Sequence, residues 1–227
     1  MKKLNIIYED KNLLVIDKPP KQLTIKTNKN ESHTLYEEAS LYVKKQYPKN
    51  KVFIVNRLDK DTSGLVVFAK NETLKKELQD NWNNLARRYY IAIVEGNMPS
   101  TKGKLKSYLK EDNYLKTHST NNPQTGKLAI TNYEVIDKVN GYNTLRINIE
   151  TGRKNQIRAQ LSETSHPIVG DKKYNAHKNP LSRLGLHAYF LELNVPGYKE
   201  PLKLITKIPE SFKPYIRKES LWKEFKK

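Results

Sequence analysis

Three short segments carry residue types that could do chemistry. The first is Asn56-Arg57-Leu58-Asp59-Lys60-Asp61-Thr62-Ser63-Gly64-Leu65, a polar stretch between two apolar runs. Polar loops at strand ends are where reactive groups are usually displayed. Arg57 and Asp59 stand two apart, and Thr62-Ser63-Gly64 adds hydroxyls and a backbone that can turn sharply. On local pattern alone the simpler reading is a salt-bridged surface turn, because a lone aspartate does not identify an enzyme. The second segment is Thr151-Gly152-Arg153-Lys154-Asn155-Gln156-Ile157-Arg158, which follows a strand pattern and opens a helix. Gly152 allows close backbone approach, and a helix N-terminus offers N–H groups to a phosphate. An ordinary strand-to-helix turn with solvated cations has the same look. The third is Leu184-Gly185-Leu186-His187-Ala188, where a histidine on an apolar alternating run is more often a core residue than a ligand.

Other chemistries are excluded by composition. The chain has no cysteine, which removes disulfides, thiolate metal sites, iron–sulfur clusters and cysteine nucleophiles. His33, His118, His166, His177 and His187 are scattered, with no helical i, i+4 pair among them. The dinucleotide fingerprint and the phosphate-binding P-loop are both missing. No metal and no cofactor is called for.

The elements that must position these segments are mostly strands. Asn5–Tyr8 and Leu13–Asp17 read as short strands, the second ended by Lys18-Pro19-Pro20. Thr34-Leu35-Tyr36-Glu37 has the form of a capping box, with Leu35, Ala39, Tyr42 and Val43 at helical spacing up to Tyr47-Pro48. Val52–Val55 and Leu65–Ala69 are strand-like, and Glu72–Leu85 reads as a second helix. Tyr89–Val94 is a further strand. Asn97–Lys127 reads as loops around a short ribbon at Lys104–Leu109. Ala129–Val135 and Thr144–Ile149 alternate and join through Asn140-Gly141, a strong hairpin signal. Gln156–Ser162 reads as a short helix, Lys172–Ser182 as a loop, and Leu184–Leu193 and Leu202–Ile208 as closing strands. Ser211–Phe225 reads as a terminal helix. The class is α+β with strands in excess.

The 227 residues suffice for one large domain with a real core. Lys and Arg number 42 against 24 Asp and Glu, a net charge of +18. Such a surplus is an electrostatic footprint for a polyanion, and nucleic acid is its natural partner. No apolar run reaches the length of a membrane span, no secretory leader pattern is visible, and no segment joins a Lys-rich face to a strongly apolar one. A cytoplasmic location is therefore expected. Arginine is used only eight times, and three of these are Arg57, Arg153 and Arg158. A chain that uses lysine by default keeps arginine where a planar, bidentate group is needed.

Taken in order, these segments resemble a known family. Arg57-Leu58-Asp59-x-x-Thr62-Ser63-Gly64-Leu65 is similar to the catalytic signature of the RluA-type RNA pseudouridine synthases. The likeness continues at Tyr8-Glu9-Asp10, Asp17-Lys18-Pro19 and Arg88-Tyr89-Tyr90-Ile91-Ala92-Ile93-Val94-Glu95-Gly96. It extends through Thr151-Gly152-Arg153-x-x-Gln156-Ile157-Arg158 and His166-Pro167-Ile168-Val169-Gly170-Asp171-x-x-Tyr174 to Leu186-His187-Ala188.

The resemblance implies an α+β catalytic core, a long, mostly antiparallel mixed sheet with flanking helices and loops and the active cleft across it. It implies that a uridine in structured RNA, ribosomal or transfer, is flipped out, detached at its glycosidic bond, rotated and rejoined through carbon 5. Asp59 would be the essential carboxylate, Tyr90 the residue packed on the base, and Arg158 the partner of the carboxylate. Attack on the base, attack on the sugar and removal of a sugar proton all stay open for Asp59. Arg57 would lie beside the flipped nucleotide, with Thr62, Arg153, Asn155, Gln156 and His187 contacting RNA. The family often has histidine where Asn56 and Asn155 stand, and glycine shortly after Lys-Pro, where this chain reads Pro20-Lys21-Gln22. Members often carry a small RNA-binding domain before the core. Here the core motifs begin within ten residues of Met1, so a single catalytic domain over 1–227 is expected, acting as a monomer without an obligatory protein partner. The other readings are an RNA-binding protein without catalysis, and a glycosidase, which would need a second carboxylate that only Asp61 offers nearby.

Overall fold

The computed structural model describes residues 4–26 and 33–217. The chain divides into two compact units, Met1–Arg87 with Ala188–Lys207, and Arg88–His187 with Ile208–Lys227. All strand ladders described within them are antiparallel.

In the first unit β1 (Ile6–Glu9) pairs with β2 (Leu13–Lys18), and β2 pairs with β4 (Ser63–Ala69), which also takes the two-residue β3 (Phe53–Ile54). Every residue of β4 is buried, as expected of a strand covered on both faces. Leu13 and Val15 of β2 and Leu65, Val67 and Ala69 of β4 lie on one face by the two-residue period, and meet Leu74 and Leu78 in one core. The last two belong to α2 (Glu72–Asp80). Leu191, Leu193 and Leu204 join the same core from β10 (Leu186–Leu193) and β11 (Leu202–Ile205). Helix α1 (Leu35–Gln46) starts at the anticipated box: Thr34 Oγ1 accepts from Glu37 N at 3.2 Å, and Glu37 Oε2 accepts from Thr34 N at 3.0 Å.

The second unit is a sheet in the order β5-β9-β8-β6-β7: β5 (Ala86–Glu95), β9 (Tyr142–Ile149), β8 (Lys127–Val139), β6 (Lys102–Glu111) and β7 (Thr117–Thr120). Asn140 and Gly141 turn the β8–β9 hairpin with φ of 51° and 77°, the two positive values a type I′ turn requires. Helix α4 (Gln156–Glu163) packs on this sheet, with Ala159 against Leu109 and Ala129. The Gln160 amide is anchored to Ser107 Oγ at 3.0 Å and the Ala129 carbonyl at 3.2 Å.

Four expectations need correction. The helix anticipated over 72–85 breaks into α2 and α3 (Trp82–Leu85) at Asn81, whose backbone leaves the helical range (φ −113°, ψ 14°) while its Nδ2 donates to the Glu77 carbonyl at 3.2 Å. The region expected as loops around a short ribbon holds the full strand β6 and its partner β7. Its alternation is hidden because one face of β6 is lysine at 102, 104, 106 and 110, while Leu105, Ser107 and Leu109 face α4. The 172–182 loop contains a 3-10 turn at Lys172–Tyr174. Of the terminal helix, Glu210–Tyr215 is a 3-10 segment with Pro214 inside, and 218–225 lies outside the described residues. Among the described residues no helix is long and apolar enough to cross a membrane.

Candidate active site

The Arg57–Leu65 loop is held by buried polar groups of its own unit. Lys18, at the end of β2, is fully buried, and its ammonium donates to the carbonyls of Pro19 (3.0 Å), Gln22 (2.8 Å) and Lys60 (3.0 Å). A buried ammonium is tolerated only when its donors are met, so this contact fastens the loop carrying Asp59 to the turn after β2. Thr24 makes a reciprocal clamp one residue before Asp59: its hydroxyl donates to Leu58 O at 2.9 Å and accepts from Leu58 N at 3.2 Å. Thr62 N–H closes the turn on the Asp59 carbonyl at 3.2 Å. Gly64, at φ +119°, then passes so close to Ala188 that an added Cβ would sit 2.1 Å from its carbonyl oxygen. Only glycine fits there on both counts.

On this frame Arg57 is exposed, Asp59 is half-buried and Thr62 is buried. The Thr62 hydroxyl has no hydrogen-bond partner among the described residues. Asn56, where the family often has histidine, accepts from Val67 N at 2.7 Å and so orients strand backbone. Lys21 stands in the turn where glycine is usual and adopts φ 65°, the left-handed conformation glycine would take without strain.

In the second unit Arg88 and Tyr90 point to one face of β5 and are both buried. Arg88 donates from Nη2 to the carbonyls of Ile149 (3.3 Å) and Glu150 (3.4 Å), and burial lowers its pKa from the ordinary arginine value. Gly152 makes room for it, since a Cβ there would come within 2.9 Å of Arg88 Nη1.

Gln156 is the keystone of the turn into α4. Its Oε1 accepts from Thr151 Oγ1 (2.8 Å) and Arg153 N (3.0 Å), and its Nε2 donates to Ile130 O (3.0 Å) and Thr131 Oγ1 (2.9 Å). Both ends of its amide are thus engaged with protein. Arg153 is exposed and donates from Nε to Leu128 O at 3.0 Å. Asn155 enters the helix at φ 51°, a conformation asparagine adopts more readily than most residues.

Arg158 is engaged through all three of its guanidinium nitrogens. Nε and Nη2 grip Asp171 Oδ2 and Oδ1 at 2.7 and 2.8 Å, Nη1 donates to Asn155 Oδ1 at 2.9 Å, and the guanidinium lies 5.0 Å from the centre of the Tyr174 ring. A bidentate pair of this kind is the strong form of the charge-assisted bond. Asp171 thus fixes the plane of the guanidinium through Nε and Nη2. Tyr174 is itself fixed by Thr117 N, which donates to its hydroxyl at 3.1 Å, and burial raises its pKa. Asp171 and Tyr174 were legible in the motif His166–Tyr174, but nothing in the sequence tied them to Arg158.

His187 is buried, with its ring edge-on to Phe212 at 6.3 Å between centroids. The structure thus brings Arg153, Asn155, Gln156 and Arg158 together around one helix start, and Arg57, Asp59 and Thr62 together on one loop. Asp59 belongs to the first unit, Tyr90 and Arg158 to the second.

Residues 12–163 match the model of the RNA pseudouridylate synthase family, and the chain belongs to that family. Its membership makes it an RNA isomerase by class. Among its relatives, the ribosomal large subunit pseudouridine synthase D of Borreliella burgdorferi is 34% identical over 215 residues, which cover 91% of this chain and 66% of that protein. The protein of the same name from Pasteurella multocida is 34% identical, covering 92% of this chain and 68% of its own length. The chain thus spans about two thirds of the length of these relatives. In fold it is similar to human RNA pseudouridylate synthase domain containing 4, with a TM-score of 0.77 at 22% identity over 92% of both chains.

Proposed function

We propose that this chain converts uridine to pseudouridine in structured RNA of the large ribosomal subunit, in the cytoplasm, as a monomer without cofactor. The observation that carries the reading is the Arg57–Gly64 loop: a family-type aspartate on a turn pinned by the buried ammonium of Lys18. The family match runs through both compact units, which supports taking 1–227 as one catalytic domain. The substrate class comes from the names of the bacterial relatives.

The reaction breaks the bond between the sugar anomeric carbon and N1, joins that carbon to C5, and moves one proton from C5 to N1. It is an isomerisation, so no external nucleophile or redox partner enters, and water must be kept out while the base is free. Flipping the nucleotide costs a few kcal/mol, which stacking and base-edge hydrogen bonds offset. In this proposal Asp59 supplies the carboxylate and Tyr90 the surface for the base. Arg158 supplies a guanidinium whose orientation Asp171 fixes. Arg57 and Arg153, both exposed, are suited to phosphates, and the Thr62 hydroxyl, buried and without a hydrogen-bond partner among the described residues, to a base or sugar group that reaches it. Asn155, Gln156 and His187 act on RNA indirectly, by shaping the backbone that meets it.

Asp59→Asn conserves volume and removes charge and basicity. Purified Asp59→Asn protein should retain the wild-type fold and RNA affinity and form no pseudouridine in unmodified large-subunit ribosomal RNA. Turnover comparable to wild type would remove Asp59 from the mechanism. Release of free uracil by the wild type would favour a glycosidase, and binding without any conversion would leave an RNA-binding protein.

A further inference from the structure

The β6–β7 hairpin ends in a turn that holds two large apolar side chains out in water. Tyr114 is 89% exposed and Leu115 61%. The turn is well built: Asp112 Oδ1 accepts from Tyr114 N at 2.9 Å and Lys116 N at 2.8 Å, while Leu115, at φ 58°, donates its N–H to Asp112 O at 3.0 Å. Lys173 Nζ donates to the Leu115 carbonyl at 2.8 Å, tying the tip to the 172–174 turn. A Tyr ring carried on so ordered a turn loses little freedom on binding.

Its surroundings are basic. On β6 the lysines at 102, 104, 106 and 110 share a face. Lys102 and Lys104 pair with Glu134 and Glu150, whereas Lys106 and Lys110 are exposed and hold no ion pair among the described residues. The hairpin also leads to the candidate catalytic arginine. Lys116, next to the tip, lies 5.6 Å from the Tyr174 ring centre, Thr117 N donates to the Tyr174 hydroxyl, and the same ring carries Arg158.

We propose that the 112–116 tip is an RNA-contact site: Tyr114 stacks on an unpaired base away from the flipped uridine, and Lys106 and Lys110 take flanking phosphates. The inference rests on the RNA-isomerase reading and adds to it the element that selects the target. An aromatic ring amid unpaired cations matches a nucleotide, which offers a π-face and a negative charge together. Stacking on one aromatic side chain is worth roughly five- to a hundredfold in affinity.

The test measures the dissociation constant for unmodified, transcribed large-subunit ribosomal RNA separately from pseudouridine formation, using wild type, Tyr114→Ala and Tyr114→Phe. Tyr114 is exposed, so neither variant should change the melting temperature. Tyr114→Ala should bind about tenfold more weakly and raise KM, with an unchanged rate at saturating RNA, and Tyr114→Phe should behave as wild type. Lys106→Gln with Lys110→Gln should lower the slope of log affinity against log salt by about 2, one for each phosphate left without its lysine. Wild-type affinity in Tyr114→Ala would overturn the proposal and leave the tip for a protein partner. Equal losses in the Ala and Phe variants would overturn the stacking role. Wild-type protein that binds through Tyr114 but forms no pseudouridine would instead overturn the isomerase reading and leave the RNA-binding tip standing.

Discussion

Replacing Arg158 by lysine keeps the charge and removes the fork. In the structure the guanidinium makes two bonds to Asp171 and one to Asn155, and only one of these three can survive on a shorter, rounder ammonium. Asp171 is 2% exposed, so the oxygen that loses its donor has little access to water. A lost bond to a charged group costs about 1.5–3 kcal/mol, and the loss at Asn155 adds about 1 kcal/mol. Allowing for partial relaxation, Arg158→Lys should destabilise the protein by about 2–3 kcal/mol. For a chain of this size that lowers the melting temperature by about 5–10 °C. If the arginine also serves the reaction, displacing it should slow turnover at least tenfold, about 1.4 kcal/mol of barrier. The assay pairs thermal unfolding with single-turnover kinetics at 25 °C, where the variant remains folded. Arg217→Lys is the control: that side chain is 81% exposed, and the 2.8 Å bond to Asp137 comes from its backbone N–H, so the change should stay within about 0.5 kcal/mol. A variant at position 158 with wild-type melting and wild-type rate would refute the reasoning. Lowered melting with an unchanged rate would make Arg158 purely structural.

Two further outcomes follow from the first unit. Lys21 sits at φ 65°, which costs a non-glycine residue about 1–2 kcal/mol, while glycine gives back about 0.5–1 kcal/mol in chain entropy. Lys21→Gly should therefore stabilise by about 0.5–1 kcal/mol in denaturant unfolding, and a loss of stability would contradict the strain argument. Burial alone would raise the Asp10 carboxyl pKa, but hydrogen bonds from Tyr198, the N–H groups of Leu13 and Asn12, and Tyr8 outweigh it and hold the pKa below its ordinary value. The partner hydroxyl responds in the opposite sense, with burial and Asp10 pushing Tyr198 up to about 12. A lowered folded pKa means that this stabilisation is complete above about pH 4 and is lost as pH falls through the folded value. Asp10→Asn should cost about 1–2 kcal/mol at pH 7 and make the acid limb of the stability curve shallower. A limb as steep as wild type would place the titration elsewhere.

Much of the architecture was legible from local pattern. The Thr34 box, the Asn140-Gly141 turn and the alternation in β8 and β9 are signals written within a few residues, and their physics is equally local. The order of the family-like segments was likewise enough to nominate Asp59 and Arg158. Strand β6 was misread because one of its faces is solvated lysine, so only pairing with β8 and the cover of α4 reveal it as a strand. The break at Asn81 is a local departure from helical backbone angles, which spacing does not encode. The supports of the candidate site were decided by tertiary structure alone. Lys18 reaches Lys60 across 42 residues, Thr24 reaches Leu58 across 34, and Asp171 reaches Arg158 across 13. Each is a polar group that must find a partner once it is buried, and the partner is whichever residue the fold brings within 3 Å or so. Sequence supplied the groups and the local turns that carry them. Burial chose which of them would meet.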